Sequence, residues 1–183
     1  MRKPRLIAVS GPPGSGKSTL ARALAAELGC PAVLRDEIKQ GMAANIDTPS
    51  QENSDALNLP VMNVFFAALG VLLRAHVTVV AEAAYQDRLW RPGLEPLTRI
   101  ADLRIIRCNA STQTLTERIS KRAASDRHRA AHADEQLLTD LSTGAYNPEA
   151  FTKISLDAPT LHVDTSDGYR PSLSEIAAHA QLR

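Results

Sequence analysis

The residues whose types and spacing can do chemistry begin with Gly11-Pro12-Pro13-Gly14-Ser15-Gly16-Lys17-Ser18-Thr19. Glycines at 11, 14 and 16 free the backbone from Cβ clashes, so successive N–H groups can turn inward around a polyphosphate. The stretch is an anion cage. Lys17 is spaced to reach β- and γ-phosphates as a point charge, and the Ser18 hydroxyl to coordinate a Mg²⁺ that bridges them. An ordinary glycine-rich turn with a chance lysine is the bland alternative, but it gives no reason to crowd three glycines and a Lys-Ser pair together. The ligands expected are ATP and Mg²⁺, with the loop from Gly11 to Thr19 as the nucleotide cradle.

Further chemical groups follow at intervals along the chain. Asp36 comes directly after the short apolar run Ala32-Val33-Leu34, at a strand's carboxyl end where open α/β sheets bind ligands. Lys39, three residues on along the next helix, can face the same cleft, and the two are candidate contacts for a substrate; the alternative is that Asp36 only caps that helix. Glu82 ends the β-branched run Val77-Thr78-Val79-Val80-Ala81, where it can hold a water of the Mg²⁺ shell or pair with a cation; otherwise it is a solvated strand-end acid. Arg88 and Arg91 stand on the exposed first turn of a following helix, and Arg88 is a candidate substrate contact.

Residues 118–132 hold five Lys or Arg against one acid, Asp126. A spacing of four puts Arg118 and Arg122 on one helical face, as two cations leaning over a phosphate chain from the side opposite Lys17 require; the alternative is a solvated cationic face. This segment, about 118–136, is the expected lid. His128 and His132 lack a third ligand or an intervening glutamate, so zinc is not expected.

Positioning these groups needs an alternation of strands and helices, and the chain supplies it. Residues 6–9, 32–34, 77–81, 103–108 and 159–164 read as five strands. The alanine-rich pattern of residues 20–28 reads as a helix closed by Gly29. The most apolar stretch, 61–73, is shorter than the roughly 18–20 residues of a membrane span and contains Asn63, so it reads as a buried helix within 60–75. Residues 86–99 read as a helix interrupted by Pro92 and Pro96, Ser111 or Thr112 as the cap of the next, and Ser172-Leu-Ser-Glu175 as a capping box. The polar segment 44–56, with Pro49, reads as a loop over the acceptor side. The loop from Thr165 to Tyr169 leaves the fifth strand beside the phosphate loop if the strands are parallel, a resting place for adenine.

Composition sets the outer bounds. A chain of 183 residues suits one domain over 1–183 with one core. A net charge of +1 gives no global attraction to nucleic acid or anionic membrane. Cys30 and Cys108 form neither metal spacing nor a disulfide framework; they read as small buried thiols, in keeping with a reducing, cytoplasmic setting.

With loop, acid and arginine helix placed, the chain resembles the small P-loop kinases that include polynucleotide 5′-hydroxyl kinase, zeta-toxin-like kinases and chloramphenicol phosphotransferase. The resemblance rests on residues 11–18, on Arg35-Asp36-Glu37-Ile38-Lys39 and on Leu115-Thr-Glu-Arg118-Ile-Ser-Lys121-Arg122, within a span of about 5–123. It implies a three-layer α/β P-loop NTPase fold with a parallel five-stranded sheet of order 2-3-1-4-5. It also implies Asp36 as the base that takes a proton from an acceptor hydroxyl, and Arg122 on the transferring phosphate. The chain departs from the polynucleotide kinase pattern in carrying Glu82 for Asp and Lys39 for Arg, which keeps each charge but loses the guanidinium fork.

The leading expectation is phosphoryl transfer from Mg·ATP to a hydroxyl on a small molecule or a nucleic-acid 5′ end, with Lys17, Asp36, Arg118 and Arg122 catalytic. Two rivals stay open: a nucleotide-hydrolysing switch without an acceptor, and a toxin-like kinase of nucleotide sugars. Aromatic residues at 4% offer little for stacking on a polynucleotide.

Overall fold

The computed structural model describes residues 2–46, 56–125, 134–143, 151 and 154–182. Its centre is β1 (Arg5–Ser10), whose five residues after Arg5 are all buried. Parallel ladders join β1 to β3 (Val79–Glu82) on one side and to β4 (Asp102–Asn109) on the other. β2 (Ala32–Leu34) and β5 (Thr160–Asp164) complete a five-stranded sheet of order β2-β3-β1-β4-β5. This is the order that the resemblance implies.

Seven helices are described: α1 (Lys17–Leu28), α2 (Arg35–Ala43), α3 (Asn58–Arg74), α4 (Asp87–Leu97), α5 (Thr112–Ser125), α6 (Asp134–Thr143) and α7 (Leu173–Gln181). Successive strand side chains point to opposite faces, so β1 sends Leu6 and Ala8 one way and Ile7 and Val9 the other. On the first face Phe65, Leu69 and Leu73 of α3 and Trp90, Leu94 and Leu97 of α4 cover the sheet. On the second, Leu20, Ala21, Leu24 and Ala25 of α1 pack with Ile176, Ala177 and Ala180 of α7. Each large apolar side chain taken fully out of water contributes about 1.5–3 kcal/mol, and such burial on both faces anchors the sheet beneath its loops.

The ends of the elements follow local chemistry. α1 stops where Gly29 takes φ 62° and donates to Ala25 and Ala26 carbonyls. Ser111 accepts from the Thr114 N–H at the start of α5, and Ser172 and Glu175 form a complete capping box on α7.

Five sequence expectations change. β3 spans Val79–Glu82 rather than 77–81, because its register with β1 sets Glu82 opposite Val9 and draws the acid into the ladder. α3 begins before Pro60, which lacks an N–H that the first turn does not need, and it is buried on one side only: Leu59, Val64 and Val71 are exposed. α4 runs through Pro92 and Pro96 without interruption, since Trp90, Leu94 and Leu97 at helical spacing bury one face and override the lost hydrogen bonds. Cys108 is buried but Cys30 is only half-buried, because it lies past the end of α1. The N-cap of α2 is Leu34, so Asp36 sits inside the first turn and does not cap it.

The acceptor-side loop proposed at 44–56 falls largely outside the described residues, as do residues 126–133 of the lid segment with His128 and His132. No helix among the described residues is long and apolar enough to cross a membrane.

Candidate active site at the carboxyl edge of the sheet

Gly11 leaves β1 at φ 152°, where an added Cβ would stand 2.6 Å from the Cys108 carbonyl oxygen and 2.6 Å from Ser15 Oγ. Only glycine passes that point. The turn closes with the Ser15 N–H donating to the Pro12 carbonyl at 3.1 Å, and Gly16 at φ 72° forms the N-cap of α1 with no side-chain hydrogen bond. The N–H groups of a helix's first turn have no partner within the helix, which is what an anion at that end needs. Ser15 Oγ is buried without a hydrogen-bond partner, a donor left over inside the cradle.

Lys17 and Ser18 converge on a carboxylate that the neighbouring strand supplies. Glu82 is 1% exposed and Lys17 7% exposed. Lys17 Nζ lies 3.7 Å from Glu82 Oε1, while Ser18 Oγ donates to Glu82 Oε2 at 3.1 Å. Burial pushes the Glu82 carboxyl above the ordinary glutamate range; Lys17 pulls it down and Asp36 pushes it further up. The register of β2 with β3 pairs Leu34 with Glu82, so Asp36, two residues on, stands at the same end of the sheet.

On the β2 side, α2 and α3 meet through three side chains. Arg35 Nη1 donates to Asp36 Oδ1 at 3.1 Å, Arg35 Nη2 to Asn58 Oδ1 at 2.7 Å, and Lys39 Nζ to the same Asn58 oxygen at 3.1 Å. Lys39 is 5% exposed, although a solvated lysine would be the ordinary outcome on a nine-residue helix.

On the β5 side, Arg118 of α5 reaches the loop. Its Nη2 donates to the Thr165 carbonyl at 2.6 Å and the Ser166 carbonyl at 3.3 Å, and its Nη1 lies 3.4 Å from both the Gly14 carbonyl and Thr165 Oγ1. Thr165 is 3% exposed, with its hydroxyl 2.6 Å from the Ser15 carbonyl and 3.0 Å from that of Asn109. Thr165 is thus a brace under the loop. Arg122 follows one turn later on α5 and is half-buried. Arg88 is exposed on α4, Thr19 is exposed on α1, Pro12 is buried and Pro13 half-buried.

Of the residues singled out in the sequence, Lys17, Ser18 and Glu82 meet directly, Asp36 and Lys39 stand on the adjoining helix, and Arg118 and Thr165 meet on the opposite flank. Arg88 makes no hydrogen bond with any of them among the described residues. Sequence reasoning missed Asn58 and the Arg35 guanidinium. Arg35 stood beside Asp36 as a visible signal, whereas Asn58 follows an unpatterned segment and gave none.

A parallel sheet in this order, with a glycine cradle after β1 and an acid at the end of β3, defines a P-loop protein of the kinase group. The chain belongs to the AAA domain family, whose model matches residues 6–143. Among solved structures it is similar to a provisionally assigned kinase from Chloroflexus aurantiacus J-10-fl, at 26% identity over 100% of both chains with a TM-score of 0.86. It is also similar in fold to a gluconokinase from Sinorhizobium meliloti 1021, at 22% identity over 98% of this chain and 91% of that one, TM-score 0.52. A chain of an RNA repair complex matches at 22% identity over 85% of this chain and 51% of its own length, TM-score 0.58. No curated protein matches the sequence.

Proposed function

We propose that this protein is a kinase that transfers the γ-phosphoryl group of Mg·ATP to a hydroxyl. The observation that carries the reading is the convergence on Glu82: Lys17 and Ser18 reach its carboxylate from the phosphate loop, and the β2–β3 register pairs it with Leu34, two residues before Asp36. The phosphate loop, the oxygen groups of Ser18 and Glu82, and the Asp36 carboxylate thus gather at the carboxyl edge of the sheet. The kinase named at 26% identity supports the same class.

Ser18 Oγ and the Glu82 carboxylate fit Mg²⁺, which takes one or two protein oxygens and completes its shell with water and phosphate. Held by these two residues, Mg²⁺ would supply positive charge to offset that of the polyphosphate. The loop N–H groups and Lys17 hold the phosphate chain. Asp36 accepts the proton of the acceptor hydroxyl as that oxygen bonds to the γ-phosphorus, and the β–γ bridging oxygen departs with ADP. Arg122 offsets charge on the phosphoryl group in flight, while Arg118, engaged with three backbone carbonyls, acts by holding loop, α5 and the Thr165 segment together.

Incubation with γ-labelled ATP and a panel of hydroxyl compounds tests the proposal. Asp36→Asn and Arg122→Ala should each lower transfer by a factor on the order of 10²–10⁵. Near-normal transfer by both variants, or ATP hydrolysis that no hydroxyl compound accelerates or diverts, overturns it in favour of a hydrolysing switch.

A further inference from the structure

We propose that Arg107 is an anion-binding residue on the acceptor side, holding a carboxylate or phosphate carried by the molecule that receives the phosphoryl group. The inference rests on the kinase reading and adds to it a residue and a recognition chemistry. β4 lies between β1 and β5, and buried parallel strands are ordinarily continuous apolar runs. In β4 the row that faces α3 and α4 begins with Leu103 and Ile105 of the core and then turns to Arg107. A cation there needs a reason that packing does not supply.

Nor do its neighbours supply one. Arg107 is half-buried, its Nε is enclosed without a hydrogen bond, and among the described residues no carboxylate pairs with it. Burial alone holds its guanidinium below the usual arginine value, with no acid opposing that shift. Arg104, the other arginine of β4, shows the ordinary solution: its Nη1 donates to the Leu103 carbonyl at 3.0 Å and its Nη2 to the Leu182 carbonyl at 2.8 Å. Two acids of neighbouring elements are turned elsewhere. Asp87 of α4 accepts from the Ser155 N–H and hydroxyl at 2.6 Å each, and Glu82 of β3 faces Lys17 and Ser18. A desolvated guanidinium without an acceptor is costly, and an oxyanion that arrives with a substrate offsets the cost.

The position suits an acceptor. Register pairs Arg107 with Ser10 of β1, the residue before Gly11, and with the exposed His162 of β5. It therefore stands at the base of the phosphate loop, on the sheet face that α2 also joins, since Ile38 of α2 packs into the same core. β2 and β4 are three strand spacings apart, about 14 Å. A small molecule laid along that edge can present its hydroxyl to Asp36, just after β2, and an anionic group to Arg107. The planar guanidinium offers paired donors to a carboxylate or a phosphate alike, whereas a neutral alcohol has nothing to offset its charge.

The test first fills the loop with Mg²⁺ and a non-hydrolysable ATP analogue, then titrates inorganic phosphate by calorimetry. The parent should bind a further phosphate. Arg107→Met should weaken that binding by about 10–100-fold and Arg107→Lys by less, with affinity for the analogue unchanged in both. Without ligand, Arg107→Met should melt level with the parent or up to about 4 °C above it, because an unpaired desolvated cation has been removed. Absence of a further phosphate in the parent, phosphate binding that survives Arg107→Met as a merely solvated side chain would allow, or lower melting of Arg107→Met overturns the inference. So does a loss of affinity for the analogue alone, which assigns Arg107 to the γ-phosphate of ATP. Transfer from γ-labelled ATP is read separately. Labelled acceptors beside phosphate binding indifferent to Arg107 overturn this inference alone, while phosphate bound through Arg107 with no hydroxyl compound labelled overturns the kinase reading and the acceptor assignment with it.

Discussion

Replacing Thr165 by valine removes one hydroxyl and almost no volume, and the structure makes its consequence calculable. The hydroxyl is the link between the phosphate loop and the strand edge: it lies 2.6 Å from the Ser15 carbonyl, in a residue only 3% exposed. No other described backbone N–H donates to that carbonyl, whereas the Asn109 carbonyl keeps the Thr165 N–H at 2.9 Å. Thr165→Val therefore strands one buried acceptor, a cost of about 1–3 kcal/mol. For a chain of this size that corresponds to a fall in Tm of about 2–12 °C, a sizeable share of a total stability of about 5–15 kcal/mol. Because the stranded carbonyl belongs to the loop, the KM for ATP should rise while kcat at saturation changes less. Thermal unfolding and steady-state kinetics read the two effects, with Thr165→Ser, which retains the hydroxyl, as the control expected near wild type. If Thr165→Val melts with the parent and keeps its ATP KM, or if Thr165→Ser is as damaged as Thr165→Val, the brace is not what holds the loop.

Two further perturbations separate backbone from charge. Gly11→Ala places a Cβ 2.6 Å from the Cys108 carbonyl oxygen at φ 152° and should cost at least about 1–3 kcal/mol together with nucleotide binding. Gly29→Ala, at φ 62° with open space around it, should cost about 1–2 kcal/mol and leave nucleotide binding intact; equal loss of binding in both would show that the clash is not the cause. The third perturbation is pH. Burial and the neighbouring Arg104 hold the His179 imidazole below its usual value of 6.5, opposed by a hydrogen bond at the Pro159 carbonyl. The folded state then binds fewer protons than the unfolded one, so stability is full above pH 6.5 and declines as pH falls through 6.5 toward the lower folded value. His179→Gln should flatten that decline in a pH series of melting curves, and an unchanged slope would assign it to other groups.

The phosphate loop was legible in the sequence because its chemistry is local. Three glycines, Lys17 and Ser18 sit within eight consecutive residues, and the backbone conformations required there are ones that only glycine adopts readily. The five strands were legible for a related reason, since buried parallel strands are short continuous apolar runs; their order came from resemblance and not from pattern. The continuity of α4 across two prolines was not legible, because local propensity argues for a break and only the burial of Trp90, Leu94 and Leu97 decides otherwise.

What the amino-acid order determined by itself was the anion cradle, the alternation of strands and helices, and which acids and arginines end up on the sheet's carboxyl edge. What only the tertiary structure decided was who meets whom. Register between β1 and β3 delivers Glu82 to Lys17 and Ser18 across a gap of more than sixty residues, and the crossing of α2 and α3 brings Asn58 between Arg35 and Lys39. Arg118 likewise reaches Thr165 only because β4 and β5 are neighbours. Such contacts depend on distances between elements that are far apart in the chain, and no local periodicity carries that information.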